Sequence, residues 1–206
     1  RAAMTIFSDF SKGDPAVPKR YWWILVSYIL CQLSGFVAIP LLTFLSPDQR
    51  QGFWITVSFL LTLSMAFMLL LPERGGDRHV KRTGFTSTVK WSFYGIALIY
   101  LTQIAASIID VALFGAPEKS ENTEQVMELA NATPYVMFVI VLVGPILEEI
   151  IFRKIIFGAI AQKTNFWIGA LISSLLFAFA HFDGHLIIYT SIGLVLCYLY
   201  SKTKRL

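Results

Sequence analysis

Two adjacent glutamates and an arginine lie inside an apolar stretch of the chain, GPILEEIIFRKIIFG at residues 144–158. If this stretch crosses a membrane, each carboxylate costs about 2.5–3.5 kcal/mol on insertion scales, so such residues are kept where they have a partner or a task. Glu149 and Arg153 are four residues apart, with the acid first, which is the favourable order for an ion pair on a helix. We therefore predict that Glu149 and Arg153 support the structure. Glu148 has no such local cation and is a candidate general base acting on water.

A histidine in the next apolar stretch, LLFAFAHFDGH at residues 175–185, is the candidate partner of Glu148. Phe177 and His181 are four residues apart, so on a helix the phenyl ring and the imidazole share one face. A carboxylate and an imidazole brought together inside a membrane could hold and activate one water molecule. We predict Glu148 and His181 as the catalytic pair. The alternative is that His181 is a packing residue held by hydrogen bonds, as single histidines in apolar helices commonly are.

The same two residues could also bind a metal ion, but a catalytic zinc site uses three protein ligands. His185 is the candidate third ligand, because it follows His181 by four residues. The Asp183-Gly184 turn signal between them predicts that the helix ends there, and the chain has no HExxH motif. The sequence therefore favours a site without a cofactor, with a divalent metal such as zinc as the alternative. His79 lies in a basic loop and is predicted to be a solvated surface residue.

Membrane-spanning helices must position these residues, because the charges of the chain fall in short clusters between long apolar stretches. Of the 206 residues, 56% are hydrophobic and 15% are charged, and the mean hydropathy is +0.65. A soluble domain of this length would be less apolar. We predict an all-α, polytopic transmembrane helix bundle of about six spans, at residues 21–45, 53–71, 91–114, 135–160, 166–182 and 185–200.

The positive charges fall mainly on one side of these spans. That side receives 15 of the 17 lysines and arginines, and the other side has only Arg50 and Lys119. The positive-inside rule therefore predicts that both ends lie in the cytoplasm. The net charge of +4 is then explained by basic loops that face anionic lipid, so no nucleic-acid partner is required. The longest predicted loops are 72–90 and 115–134.

The spans divide the chain into three segments. Residues 1–20 are a cytoplasmic or interfacial N-terminal segment, and residues 21–134 hold three transmembrane helices with their loops. Residues 135–206 form the helical core that carries the candidate site.

The two motifs, Glu148-Glu149-x-x-x-Arg153 and Phe177-x-x-x-His181, resemble the first two motifs of the CPBP family of intramembrane proteases (the CAAX protease and bacteriocin-processing, or Abi, family). Both match in full, in the family's order and on successive apolar helices. The resemblance implies an all-helical cavity in which Glu148 activates water with the help of His181. It also implies that Glu149 and Arg153 support the site and that Phe177 shapes it. Family members cleave near the C-terminus of prenylated proteins in eukaryotes, and many bacterial members are tied to peptide processing, bacteriocin self-immunity or signalling.

The family also has a third motif, a histidine followed four residues later by asparagine or a similar polar residue, on a helix after the sixth span. The present sequence ends at Leu206, before that helix, so this stretch by itself is not expected to be a competent protease.

Two functions remain open at this point. The first is an intramembrane endopeptidase that uses a Glu/His-activated water to hydrolyse a peptide bond in a membrane peptide or protein. The second is a non-catalytic scaffold or regulator of the same fold that binds and positions another membrane or cell-envelope protein. A transporter is less favoured, because transporters usually show repeated halves and these spans show none.

Overall fold

A computed structural model describes residues 17–73, 84–115, 121–181 and 184–203. The chain is helical through most of these ranges, and they contain no strand. In chain order the helices are α1 (Lys19–Leu41), α2 (Pro47–Leu70), α3 (Phe85–Phe114), α4 (Glu121–Ala132), α5 (the helical run at 136–163), α6 (Phe166–His181) and α7 (Leu186–Thr203).

The length and composition of the helices fit a membrane. Helices α1, α2, α3 and α7 are each long and apolar enough to cross a bilayer. Helix α6 is also apolar, but its 16 residues reach only about 24 Å at 1.5 Å per residue, less than the ~30 Å hydrocarbon core. The protein is therefore an all-α, polytopic integral membrane protein. The six predicted spans correspond to α1–α3 and α5–α7, and the cytoplasmic location of both ends stays a prediction.

The region 115–134 was expected to be a loop, and this prediction was wrong, because the region contains α4. The segment is polar and too short to span a membrane, so hydropathy does not reveal it. Its Val126 and Leu129 are three residues apart, a helical spacing, and α4 packs against α2. The expectations for the N-terminal tail before residue 17, for His79 and for Asp183 concern positions outside the described residues.

Helix α5 departs from regular α-helical geometry. It contains two π-helical segments, Val139–Val143 and Glu149–Phe157, with the α-helical Gly144–Glu148 between them. π-Helical turns are rare and frequently occur at functional sites. The second segment carries Glu149 and Arg153, so two of the predicted site residues lie on π-helical backbone.

The described residues divide into two compact units. The histidine unit comprises 84–115 and 149–203, which are α3, the second part of α5, α6 and α7. The pocket unit comprises 18–73 and 121–148, which are α1, α2, α4 and the first part of α5. The boundary between the units within α5 falls after Glu148. The three-segment division expected from the sequence stays a prediction.

Small residues bring the helices of the histidine unit close together. A Cβ atom added at Gly169 would lie 2.9 Å from Cβ of Ala161, and one added at Gly193 would lie 2.8 Å from Cβ of Ser174. Side chains larger than hydrogen do not fit at these positions without movement of a neighbouring helix. The apolar core of this unit contains Phe157, Ala161, Phe166, Ala170 and Cys197.

In the pocket unit, α1 packs against α2, and α2 also contacts α4 and the first part of α5. Between α1 and α2, Nε1 of Trp54 donates a hydrogen bond to Oγ of Ser34 at 2.9 Å. Gly52 lies against Thr133, where a Cβ atom would not fit. These contacts join the helices that surround a cavity.

Candidate active site

Arg153 is fully buried in the histidine unit, with 0% of its surface exposed. Its Nε lies 3.3 Å from Oε1 of Glu149, so the predicted i,i+4 ion pair is formed. Its guanidinium carbon lies 4.2 Å from the centre of the Phe177 ring. A guanidinium is planar and more weakly hydrated than an ammonium, which suits it to stacking on an aromatic face. Arg153 therefore neutralises Glu149 and contacts the ring of Phe177 at the same time.

The Phe177 ring lies between the π-helical segment and His181. It meets the Phe152 ring edge to face, with centroids 5.3 Å apart, and the His181 ring at 4.5 Å. The hydroxyl of Ser173, on α6, donates a hydrogen bond to the backbone carbonyl of Phe152. Phe177 and His181 thus share one face of α6, as the spacing predicted.

His181 is the last residue of α6, and its imidazole is held from two sides. Nδ1 lies 2.8 Å from the backbone carbonyl oxygen of Phe177. Because a carbonyl oxygen only accepts hydrogen bonds, Nδ1 carries a hydrogen, and in the neutral tautomer with this hydrogen Nε2 has a lone pair. The ring also stacks on that of Tyr189 from α7, with centroids 3.9 Å apart and an interplanar angle of 26°. This arrangement presents Nε2 as a hydrogen-bond acceptor or base.

His185 contacts a carboxylate that the sequence analysis missed. Its Nδ1 lies 3.0 Å from Oδ2 of Asp110 on α3. The signal for Asp110 was present in the sequence, since it is a single acid in the apolar stretch AASIIDVALF, the same pattern that drew attention to Glu148.

The predicted break before His185 is present, because α6 ends at His181 and Gly184 has a φ of +80°. The two histidines are therefore not on one continuous helix. Among the described residues, no group of three or more His, Cys, Asp or Glu side chains could hold a metal ion. The role of His185 as a third ligand stays a prediction.

Glu148 belongs to the pocket unit, where it lines a cavity of about 690 Å³. This volume falls within the usual range of about 300–1,000 Å³ for small-ligand sites. The cavity is walled by α1, α2, α4 and α5, and most lining side chains are apolar. Carboxamide, hydroxyl and carboxylate groups also reach it, from Gln32, Gln51, Ser58, Gln125 and Glu148. A carboxylate at the wall of a mostly apolar cavity is a suitable place for a base that acts on a bound molecule.

Four of the predicted site residues, Glu149, Arg153, Phe177 and His181, thus lie together in the histidine unit. Glu148 lies in the pocket unit, and its pairing with His181 stays a prediction.

Comparisons with known proteins agree with these motifs. A family model described as type II CAAX prenyl endopeptidase Rce1-like matches residues 130–206. The chain is 37% identical over 201 residues to the putative membrane peptidase YdiL of Bacillus subtilis (strain 168), covering 91% of this chain and 82% of the relative. It is 31% identical over 205 residues to the membrane-embedded CAAX protease MroQ of Staphylococcus aureus (strain USA300), covering 91% and 83%.

A more distant relative is the UPF0177 protein YxdF of Lactococcus lactis subsp. lactis (strain IL1403), 25% identical over 148 residues, or 69% of this chain and 81% of the relative. No solved structure matches the chain. The matches to YdiL and MroQ run along most of both chains. The family model covers the region that holds both sequence motifs. The chain therefore belongs to the CPBP family of membrane-embedded CAAX proteases.

Proposed function

We propose that the protein is an intramembrane endopeptidase of the CAAX protease type, in which Glu148 and His181 activate a water molecule. The observation that carries the proposal is the orientation of His181. Its Nδ1 donates to the Phe177 carbonyl and its ring is stacked on Tyr189, which leaves Nε2 to accept a hydrogen bond from water. The relatives named as a membrane peptidase and a membrane-embedded CAAX protease support the same class of reaction.

In the proposed reaction, the Glu148 carboxylate removes a proton from water while Nε2 of His181 accepts a hydrogen bond from the same molecule. The water oxygen bonds to the peptide carbonyl carbon, and a tetrahedral intermediate forms. The C–N bond then breaks, and Glu148 returns the proton to the leaving amine. Glu149 and Arg153 support this site by holding the Phe177 ring against His181. No metal is required in this scheme, and zinc remains the alternative activator of the water.

The cavity of the pocket unit supports a substrate that is a membrane-embedded peptide segment. Its mostly apolar walls suit lipid-soluble side chains, and its glutamines offer donors and acceptors to a peptide backbone. The proposed location is a bacterial cell membrane, which the bacterial relatives support. Both ends of the chain are proposed to lie in the cytoplasm, as the distribution of lysine and arginine predicts.

The test uses the full-length protein reconstituted in phospholipid vesicles with two internally quenched fluorescent peptides, one with a farnesylated CAAX end and one apolar and unprenylated. In ¹⁸O-labelled water, hydrolysis places one ¹⁸O atom in the new carboxylate, which mass spectrometry detects. We expect Glu148→Gln and His181→Ala each to lower kcat by about 10²–10⁴-fold. The control is Glu128→Gln on α4, which makes the same chemical change at an exposed position of the pocket unit.

Two results would overturn the proposal. Cleavage by both variants at the rate of the unmodified protein would remove Glu148 and His181 from the reaction. Capture of a membrane protein partner without cleavage of any peptide would favour the scaffold. Loss of cleavage in the presence of a zinc chelator, with recovery on adding zinc, would replace the metal-free version by the zinc version.

A further inference from the structure

Asp110 is a buried carboxylate that neither family motif contains. It lies one turn before the end of α3 in an otherwise apolar stretch, and only 7% of its surface is exposed. A carboxylate in a membrane span is unfavourable unless it is paired or faces a polar site. The Nδ1–H of His185, which is 75 residues away in sequence, supplies that partner at 3.0 Å. Asp110 therefore ties α3 to the connection between α6 and α7.

The contact reaches the first turn of α7 through His185. The backbone carbonyl of His185 accepts a hydrogen bond from the backbone N–H of Tyr189 at 3.2 Å. Holding the side chain of His185 therefore holds the N-terminal end of α7. Toward the other end of the same helix, Leu199 lies against Gly95 of α3, where an added Cβ would be 2.8 Å away. Helix α7 is thus fixed to α3 by a polar contact near its start and by close packing near its end.

The first turn of α7 in turn contacts the candidate catalytic histidine. Tyr189 stacks on the His181 ring at 3.9 Å and lies 6.1 Å from the Phe177 ring. A shift of this turn would remove the ring that covers one face of the His181 imidazole. The Nδ1 hydrogen bond to the Phe177 carbonyl and the edge contact with the Phe177 ring would then be the remaining described restraints on the imidazole.

We propose that Asp110 is a positioning residue for His181. Through His185 and Tyr189, it holds the His181 imidazole in the tautomer and orientation that present Nε2 as an acceptor. The consequence for cleavage rests on the proposed function. The positioning itself is a property of the folded chain and can be measured without turnover.

The test compares Asp110→Asn, which keeps an oxygen that can accept from His185, with Asp110→Leu, which keeps the branched shape but removes the acceptor. ¹⁵N-histidine NMR of the protein in detergent micelles reports which ring nitrogen of His181 carries the hydrogen. The chain has three histidines, so His79→Gln and His181→Gln assign the signals. We expect Nδ1–H in the unmodified protein and in the asparagine variant, and a mixture of both tautomers in the leucine variant.

The kinetic readout separates positioning from a loss of folded protein. For cleavage of the quenched peptides, we expect Asp110→Leu to lower kcat about 10- to 100-fold with KM unchanged, as is common when a supporting hydrogen bond is removed. We expect Asp110→Asn to stay within a few-fold of the unmodified protein. Asp48→Asn, at an exposed position on α2 of the pocket unit, is the matched control and should leave both readouts unchanged.

A purely structural role for Asp110 gives a different pattern. Asp110→Leu would then keep the Nδ1–H tautomer and the kcat of the folded fraction, and this would overturn the proposal. If Asp110→Leu does not fold, Tyr189→Leu decides, because it removes the stacked ring while leaving Asp110 and His185 in place. An unchanged His181 tautomer in that variant also overturns the proposal. If the unmodified protein cleaves no peptide, the proposed function fails, while the tautomer measurement still decides the positioning.

Discussion

The two units of the protein differ around their candidate site residues, although both contain glycines at which a Cβ atom does not fit, such as Gly193 and Gly52. In the histidine unit a fully buried Arg153 packs on the ring of Phe177. In the pocket unit, α1, α2, α4 and the first part of α5 leave a cavity of about 690 Å³ with Glu148 on its wall. One unit fixes side chains, and the other leaves room for a ligand.

Fixing side chains and leaving room for a ligand make conflicting demands on packing. Close packing maximises dispersion contacts and holds side chains in single rotamers, whereas a cavity gives up contacts for every atom that lines it. A hydrolase needs both, because the reacting groups must be held in place and the substrate must be admitted. Dividing the two demands between different parts of the chain lets each be met without weakening the other. The following substitutions test this division.

The largest effect is expected from removing the buried cation of the histidine unit. Arg153→Ala removes a counter-ion of Glu149 and the guanidinium that lies over the Phe177 ring. Breaking a buried pair typically costs about 3–5 kcal/mol, and we expect about 3 kcal/mol because the Glu149 side chain is 26% exposed. The melting temperature in detergent should fall by about 6–12 °C. The melting temperature of Arg153→Lys, which keeps the charge but not the planar guanidinium, should lie between those of the unmodified protein and Arg153→Ala. Equal melting temperatures for all three proteins would contradict this account.

The next effect contrasts a glycine substitution at a close helix contact with one at the cavity wall. In the histidine unit, Gly193→Ala places a Cβ 2.8 Å from Cβ of Ser174 and 3.0 Å from Cα of Ser174. This substitution should lower the free energy of unfolding by about 1–3 kcal/mol. In the pocket unit, the Cβ of Gly35→Ala meets the flexible end of Ile39 at 3.3 Å, so the helix propensity of alanine should leave stability unchanged or raise it by up to about 1 kcal/mol. Thermal unfolding of both variants measures the difference. A larger loss of stability in Gly35→Ala than in Gly193→Ala would contradict this prediction.

A smaller effect on folding, with a larger one on activity, is expected from filling the cavity. Ser58 lines it, so Ser58→Leu should change stability by less than about 1 kcal/mol while raising KM for the quenched peptides. The matched variant Ala170→Leu enlarges a residue of the histidine unit core with no exposed surface and should lose about 1–3 kcal/mol. The melting temperature and the rate of peptide cleavage are measured for both variants. An unchanged KM in Ser58→Leu would show that the peptide does not use this cavity.

The smallest effect concerns the partly exposed ion pair of the pocket unit. Arg20 Nε lies 3.0 Å from Glu73 Oε1, and the Arg20 side chain is 34% exposed. A double-mutant cycle with Arg20→Gln and Glu73→Gln should give a coupling of about 0.2–1 kcal/mol that weakens as salt is added. A coupling that matched the Glu149–Arg153 pair in size and was insensitive to salt would remove the contrast between the fully buried Arg153 and the partly exposed Arg20.

The local contacts of the candidate site could be predicted from the sequence, because they join residues one helical turn apart. Glu149 with Arg153 and Phe177 with His181 are of this kind, and both contacts are present. The stack of Tyr189 on His181 and the contact of Asp110 with His185 could not be predicted in the same way. Each depends on how a later helix packs against an earlier one, and the spacing of residues within one segment contains no information about that.

Membrane crossing and the all-α class follow from the sequence alone, because the ~20 apolar residues needed to cross a bilayer are a property of each segment. Three features depend on how the helices pack: the π-helical backbone of α5 at Glu149–Phe157, the folding of the polar stretch Glu121–Ala132 as a helix against α2, and the cavity beside Glu148. The physical reason is that apolar residues pack in a membrane without a strong preference for particular partners. Small residues, buried charges and a few hydrogen bonds therefore select which helices meet and where space is left between them.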